Sequence, residues 1–309
     1  AQVMAESESK RARFEQRGQL LPRERVARLI DRGSHFLELS PLAGLGMHDD
    51  DGKKSVQGGG SIVGIGVVAG KRVLVAASDS AVKGGTVAPM GLKKALRAQE
   101  IARENRLPLI YLVESGGANL MYQAEIFVDG GRSFANQARL SAAGIPQIAV
   151  VHGSSTAGGA YLPGLSDYVV LVRGRSSIYL AGPPLVKAAI GEDATDEELG
   201  GAQTHAEVTG LGEYLCENDA HAVALLVIVE ARYQRLRGSR ELTHRRGREH
   251  IRADTRPDAL DQAAVIVLLV VDDADVVEGR AVGDAGVEDD DVARLEPLGA
   301  ADGARHRAP

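Results

Sequence analysis

The sequence predicts an α/β protein with parallel strands over roughly residues 18–225, and three observations carry that reading. Fully apolar, β-branched runs recur through the stretch, helical periodicity fills the gaps between them, and glycines stand at the junctions. A strand, a crossover helix and a second strand make a parallel pair. Strands covered on both faces need not alternate polar with apolar residues.

The first element pair is SIVGIGVVAGKRVLVAAS, residues 61–78, where two apolar runs flank Gly70 and Lys71 and predict a hairpin turning there. GLKKALRAQEIARENRLPLIYLVES, residues 91–115, predicts a helix, a break before Pro108 and a buried strand. In that helix Leu92, Ala95, Leu96, Ile101 and Ala102 fall near one face. Lys93, Lys94, Arg97 and Glu100 fall outside it, which predicts a solvated side. The cycle repeats as a helix in SFANQARLSAAG, residues 133–144, and a strand in PQIAVVH, residues 146–152. YVVLV (168–172) and SIYLAG (177–182) supply two further strands.

Composition narrows the function classes. Hydrophobic residues make up 44% and charged residues 25% of 309 residues, the balance of a soluble globular chain. Trp is absent and aromatics are 4%, so the core must rest on Val, Leu, Ile and Ala. A formal net charge of −6 gives no electrostatic reason to expect nucleic acid as a partner. The lone Cys216 excludes an internal disulfide framework. The opening AQVMAESESK is polar and reads as no secretory signal, and the longest apolar run, Ala263–Val271, is too short to span a bilayer. The expected location is the cytoplasm of a bacterium, or the mitochondrial matrix if the source is eukaryotic.

After Leu225 the character changes. Residues 226–309 contain 13 Arg but no Lys, Phe or Met, and run from a basic block, RGSRELTHRRGREHIRADTR, to an acidic one rich in Val, Asp and Ala. Two readings stand: a native low-complexity extension, and a stretch read out of frame from GC-rich coding DNA. The expected division is therefore 1–225 as the folded domain and 226–309 as the tail.

Two loops follow strands in the same way. ESGGANL, residues 114–120, follows LIYLV, and GSSTAGGAY, residues 153–161, follows QIAVVH. Each carries adjacent glycines, Gly116–Gly117 and Gly158–Gly159, where backbone can turn sharply and approach a ligand closely. Amides at such a turn, or at the start of a following helix, can point at an oxygen that gains negative charge, so one from each loop would make an oxyanion hole. Taken singly, either pair is explained as well by a tight strand-to-helix turn.

Other candidates fall away. Ser154, Ser155 and Thr156 lack the G-x-S-x-G spacing of a nucleophile elbow and read as turn and capping groups. GIGVVAG, residues 64–70, lies between strands rather than opening a helix, which a dinucleotide fingerprint requires. Cys216 has no partner cysteine for zinc, and His152 and His205 have no metal-ligand spacing, so no metal is expected. Lys83, Lys93 and Lys94 beside Gly84–Gly85 suit ligand phosphates, but a solvated helix face explains them better.

Set side by side, ESGGANL, GIPQIAVVHGSSTAGGAY, AGPPLVKAAIGE, LGGAQTH and the opening GQLLPRERVARLIDRGSHFLELSPLAG resemble one family. It is the carboxyltransferase (β) subunit of biotin-dependent acyl-CoA carboxylases, on the methylcrotonoyl-CoA rather than the propionyl-CoA branch. The resemblance covers about Gly18–Leu225. It implies a crotonase-like (ClpP/crotonase) ββα-superhelix. It also implies a reaction in which carboxybiotin, carried on a partner subunit or domain, supplies CO2 to an acyl-CoA enolate, with the biotin ureido group as proton acceptor.

Carried onto this sequence, the resemblance makes Gly158 and Gly159 the oxyanion pair. Gly116, Gly117 and Ala118 become the loop lining the CoA thioester, and Ala160 and Tyr161 flank the acyl pocket. Ser155 stands where this branch usually has Cys, and Met121 where it usually has Pro. The partners implied are acyl-CoA, a biotin-carboxylase/biotin-carrier α subunit and further copies of the carboxyltransferase. The family's second crotonase-like domain, which holds biotin, has no counterpart after Leu225, so the chain as given is expected to transfer carboxyl poorly. Two other readings stay in play: an inactive CoA-binding or assembly module, and a crotonase-like hydratase. The hydratase is disfavoured because Glu114 and Glu125 are the only acids near the first loop and none follows the second before Asp167.

Overall fold

The computed structural model describes residues 2–227, and the expectations for the tail beyond them lie outside the described residues. Three short helices come first: α1 (Gln2–Glu8), α2 (Arg11–Gln16) and α3 (Pro22–Leu29). Strand β1 (Leu37–Glu38) pairs antiparallel with β2 (Ser61–Val68), which pairs antiparallel with β3 (Lys71–Ser78). From there the sheet is parallel. Helix α4 (Pro89–Glu104) crosses over to β4 (Leu109–Ser115), and α5 (Gln123–Ala142) crosses over to β5 (Gln147–Thr156).

The short α6 (Tyr161–Gly164) leads to β6 (Tyr168–Val172), parallel to β5, while β7 (Ser177–Tyr179) extends along the outer end of β5. Helices α7 (Pro183–Ile190), α8 (Asp196–Gly200) and α9 (Ala202–Thr204) then bring the chain to β8 (Tyr214–Cys216), which pairs with β6, and α10 (Asp219–Val227) follows. The sheet order is β1-β2-β3-β4-β5-β6-β8, a crotonase-like arrangement of strand pairs and crossover helices.

Both faces of the sheet are covered, which is why its strands read as unbroken apolar runs. On one face Val75, Ile110, Leu112, Ile148, Val150 and Val170 pack with Val26 and Leu29 of α3 and Val223 of α10. On the other, Leu74, Leu109, Tyr111, Val113, Ala149, Val151 and Leu171 pack with Ala98 and Ala102 of α4 and Leu140 of α5. Neighbouring residues alternate between the two layers with the period of two that a strand imposes.

Four sequence expectations need correction. The hairpin turns at Ala69 and Gly70, one residue earlier than Gly70–Lys71. Both have positive φ, and the two Asp31 carboxylate oxygens each accept one of their amides at 2.9 Å, which fixes the turn there. Gly64 and Gly66 lie inside β2, not between strands; added side chains would strike Phe36 and Ile30, so these glycines serve packing. The last strand is Ser177–Tyr179 only, because Gly182 and Pro183 already open α7. Lys94 is buried rather than solvated: its ammonium donates to Gly58 O (2.9 Å) and Ser61 O (2.7 Å), and burial brings its pKa down to about 8.

Candidate active site

The two glycine loops meet at the carboxyl ends of β4 and β5. Between the pairs Val113–Val151 and Ser115–Ser155, β5 runs through four residue steps while β4 runs through two, so β5 bulges at His152–Ser154. The bulge has a reason. A Cβ at Gly153 would stand 2.9 Å from Glu114 Cγ, so the glycine lets the glutamate lie across the strand.

Glu114 turns toward α3 and joins a buried charge cluster. Arg25 donates to Glu114 Oε2 at 2.7 Å and to Asp219 Oδ2 at 3.0 Å, and Asp219 Oδ1 lies 3.1 Å from His152 Nδ1. Arg25, His152 and Asp219 are each no more than 1% exposed. A carboxylate only accepts, so His152 carries its proton on Nδ1. Burial, helped by the Arg25 charge, pushes the imidazole below its usual pKa and keeps it neutral. Burial alone would raise Asp219, but the His152 hydrogen bond and Arg25 together bring its carboxyl below the usual range. Glu114 is thus held by Arg25 as an ion-pair partner at 2.7 Å. His152, read from sequence as a structural histidine, is one. His205 is another, with Nε2 2.8 Å from Ile178 O and Nδ1 2.8 Å from Thr209 Oγ1.

After β5 the chain enters a tight helical turn at Ala157–Ala160 that runs on into α6. The first amides of such a turn have no acceptor within it, which makes its start a place for an anionic oxygen. Ala157 reaches this turn with φ of 51°, a conformation that costs a non-glycine residue energy and recurs at functional sites. Gly117, at φ 80°, packs against the same turn: a Cβ there would stand 3.1 Å from Thr156 O, 3.2 Å from Ala157 Cβ and 3.6 Å from Gly158 N. The structure therefore brings Gly117 against Gly158, with Gly116 and Ala118 beside it in the chain, while the nearest neighbours of Gly116 are Thr86 and Gly84.

Gly159 is buried, and Gly158 is exposed. A Cβ at Gly158 would find only Phe134 Cζ at 3.9 Å, ordinary contact, and Gly158 has no left-handed φ. Ala160 is buried behind the turn, and the half-exposed Tyr161 ring stacks on Phe134 at 4.5 Å between centroids. The serines act as sequence suggested: Ser155, fully buried, donates to Gly159 O at 2.9 Å.

Beside Gly116 opens a groove of about 700 Å³ whose charged lining is mostly basic, with Lys10, Arg13, Arg17, Lys53, Lys54 and Lys83 against Glu6 and Glu114. Lys83 sits in the turn before α4 and is paired with Asp51 at 3.0 Å, while Lys93 is exposed on α4, outside this lining. Sequence reading missed the groove, although Lys10, Arg13 and Arg17 recur at near-helical spacing and signal one basic face.

The profile of the family described as carboxyl transferase domain matches residues 13–264. The β chain of mitochondrial methylcrotonoyl-CoA carboxylase from Dictyostelium discoideum is 57% identical over 212 residues, 68% of this chain and 36% of that protein. The β subunit of P. aeruginosa geranyl-CoA carboxylase superposes with a TM-score of 0.66 at 57% identity, over 80% of this chain and 45% of that one. The transcarboxylase 12S core, solved with hydrolysed methylmalonyl-CoA bound, gives the same TM-score at 28% identity, over 72% and 43%. The matched stretch spans 36–45% of the length of these relatives.

Proposed function

This chain belongs to the carboxyl transferase domain family, and from that premise we propose that it carries the acyl-CoA side of a biotin-dependent carboxyltransferase. Biotin on a partner subunit would supply the carboxyl group, and the described residues act on the other substrate. The amides at the start of the 157–160 turn, with those of the 116–118 loop, hold the thioester oxygen as it becomes an enolate oxyanion. No side chain of the loops need act as base, which accounts for their bareness. Each such donor lowers the barrier by about 3 kcal/mol.

The observation that carries this reading is Gly158. Its backbone and its neighbours would both accept a side chain, so the fold does not require glycine there. What a methyl group would fill is the open space in front of the turn, where the thioester belongs. The basic groove supports the same reading, because Lys10, Arg13, Arg17 and Lys53 suit the phosphates of CoA and end beside Gly116. The acyl group is proposed to be a 3-methyl-branched enoyl chain, with methylcrotonoyl first, after the relatives at 57% identity. Assembly with further copies and with a biotin-bearing partner is supported by the exposed Leu120, Met121, Phe127 and Val128 around the loops and Leu185 and Ile190 of α7.

The test is carboxylation of 3-methylcrotonyl-CoA beside propionyl-CoA, with a biotinylated α subunit and this chain joined to a family C-terminal domain in place of residues after Leu225. Turnover with preference for the branched substrate is expected. No turnover with either, in a folded and assembled protein, overturns the proposal.

A further inference from the structure

We propose that Ser115 is a positioning residue that sets the spacing of both glycine loops through one hydroxyl group and one close contact. The inference rests on the oxyanion reading for its functional consequence, and on geometry alone for the coupling itself.

Ser115 ends β4 and is buried, 3% exposed. Its hydroxyl donates to Gly85 O at 3.1 Å and accepts the amide of Gly117 at 3.2 Å. That bond engages the Gly117 amide and leaves Gly116 and Ala118 as the first loop's donors. Gly117 O in turn accepts from Val87 N (2.8 Å), and Asn119 N donates to Val87 O (2.9 Å), so the loop is clamped on both sides of Ala118.

The second loop rests on the same side chain. A Cβ at Gly159 would stand 3.0 Å from Ser115 Oγ and 3.1 Å from Ser115 Cβ, so Gly159 lies directly against it. Ser155, the register partner of Ser115 across the sheet, donates to Gly159 O at 2.9 Å and holds the turn down onto that contact. Thr156 Oγ1 reaches Ser115 O at 3.5 Å from the same strand. One small polar side chain thus touches the 85 turn, the 117 loop and the 159 turn. A misplacement of about 1 Å between groups that act together costs a reaction about a hundredfold.

Ser115 is thereby the reason the two loops keep one distance. An alanine there removes the acceptor of the Gly117 amide and the donor to Gly85, and leaves only the Cβ of the contact with Gly159. A cysteine keeps a weak donor in nearly the same place.

The test uses the full chain, with amide hydrogen exchange on the wild type, Ser115→Ala and Ser115→Cys. Bound 3-methylcrotonyl-CoA labelled with 13C at the thioester carbonyl is followed by NMR in the same samples. The expected result is faster exchange in residues 116–118 and 157–160 together, with β4 and β5 protection unchanged, and with Ser115→Cys between the other two. The bound carbonyl should move from its displaced wild-type position back toward the free value. Loosening of 116–118 alone, or no change in either loop, overturns the inference. If both loops loosen but the wild-type carbonyl is not displaced on binding, the coupling stands and the oxyanion reading falls. Should Ser115→Ala fail to fold, Ser115→Cys decides by the same pattern.

Discussion

The two glycine loops look alike in sequence and differ in why they need glycine. Gly117 is required by its backbone, at φ 80°, and by the carbonyl of Thr156 close to its missing Cβ. Gly159 is required by packing against Ser115, and Gly116 has the Thr86 methyl at 3.2 Å with Gly84 O at an ordinary 3.7 Å. Gly158 is required by neither. A glycine that the fold would let go is the one for which a ligand is the better explanation. The first loop is thus built chiefly by conformation, and the second by what has to approach it.

Substitutions can sharpen or break that contrast. The largest effect on stability is expected beneath both loops. Arg25→Ala leaves Glu114 and Asp219 buried without their cation, and chemical denaturation should show a loss of about 3–5 kcal/mol. Gly117→Ala comes next, with strain of ~1–3 kcal/mol read from the same denaturation curves. Gly158→Ala should leave stability within about 0.5 kcal/mol of wild type, as an exposed substitution without strain does. Yet carboxylation by the completed enzyme should fall by ~10². Equal stability losses for Gly117→Ala and Gly158→Ala, with activity lost in proportion, would erase the distinction.

Two smaller effects follow from burial. His152 is held neutral in the fold, while in the unfolded chain it takes up a proton near pH 6.5. The unfolded state therefore binds more protons below that pH, and stability should fall as pH drops from about 7 to 5. His152→Asn, which keeps a donor to Asp219 but does not titrate, should flatten that slope. Cys216 is buried, and burial pushes its thiol up to about 12, so a disulfide reagent at about pH 8 should label it only after unfolding.

Much of this was legible in the sequence, for physical reasons that differ by element. The runs LIYLV and PQIAVVH announce strands because a sheet covered on both faces demands unbroken apolar residues. The α4 helix shows its period of 3.6 except at Lys94, where an ammonium serves two carbonyls of the Gly58–Ser61 turn, a partner that lies 33 residues away in sequence for Ser61. The Arg25–Glu114–His152–Asp219 cluster could not be read, since its members are spread over 194 positions between Arg25 and Asp219 and meet only in the fold. The glycine pairs were visible, but nothing local separates Gly158 from Gly159. That difference lies in Ser115, which reaches one and not the other.

The most direct test is a crystal structure of the chain, completed with a family C-terminal domain, bound to a 3-methylcrotonyl-CoA thioester. The account predicts the carbonyl oxygen about 2.7–3.1 Å from the Gly158 amide and from an amide of residues 116–118. A thioester seated in the groove with its carbonyl turned away from Gly158 would contradict it.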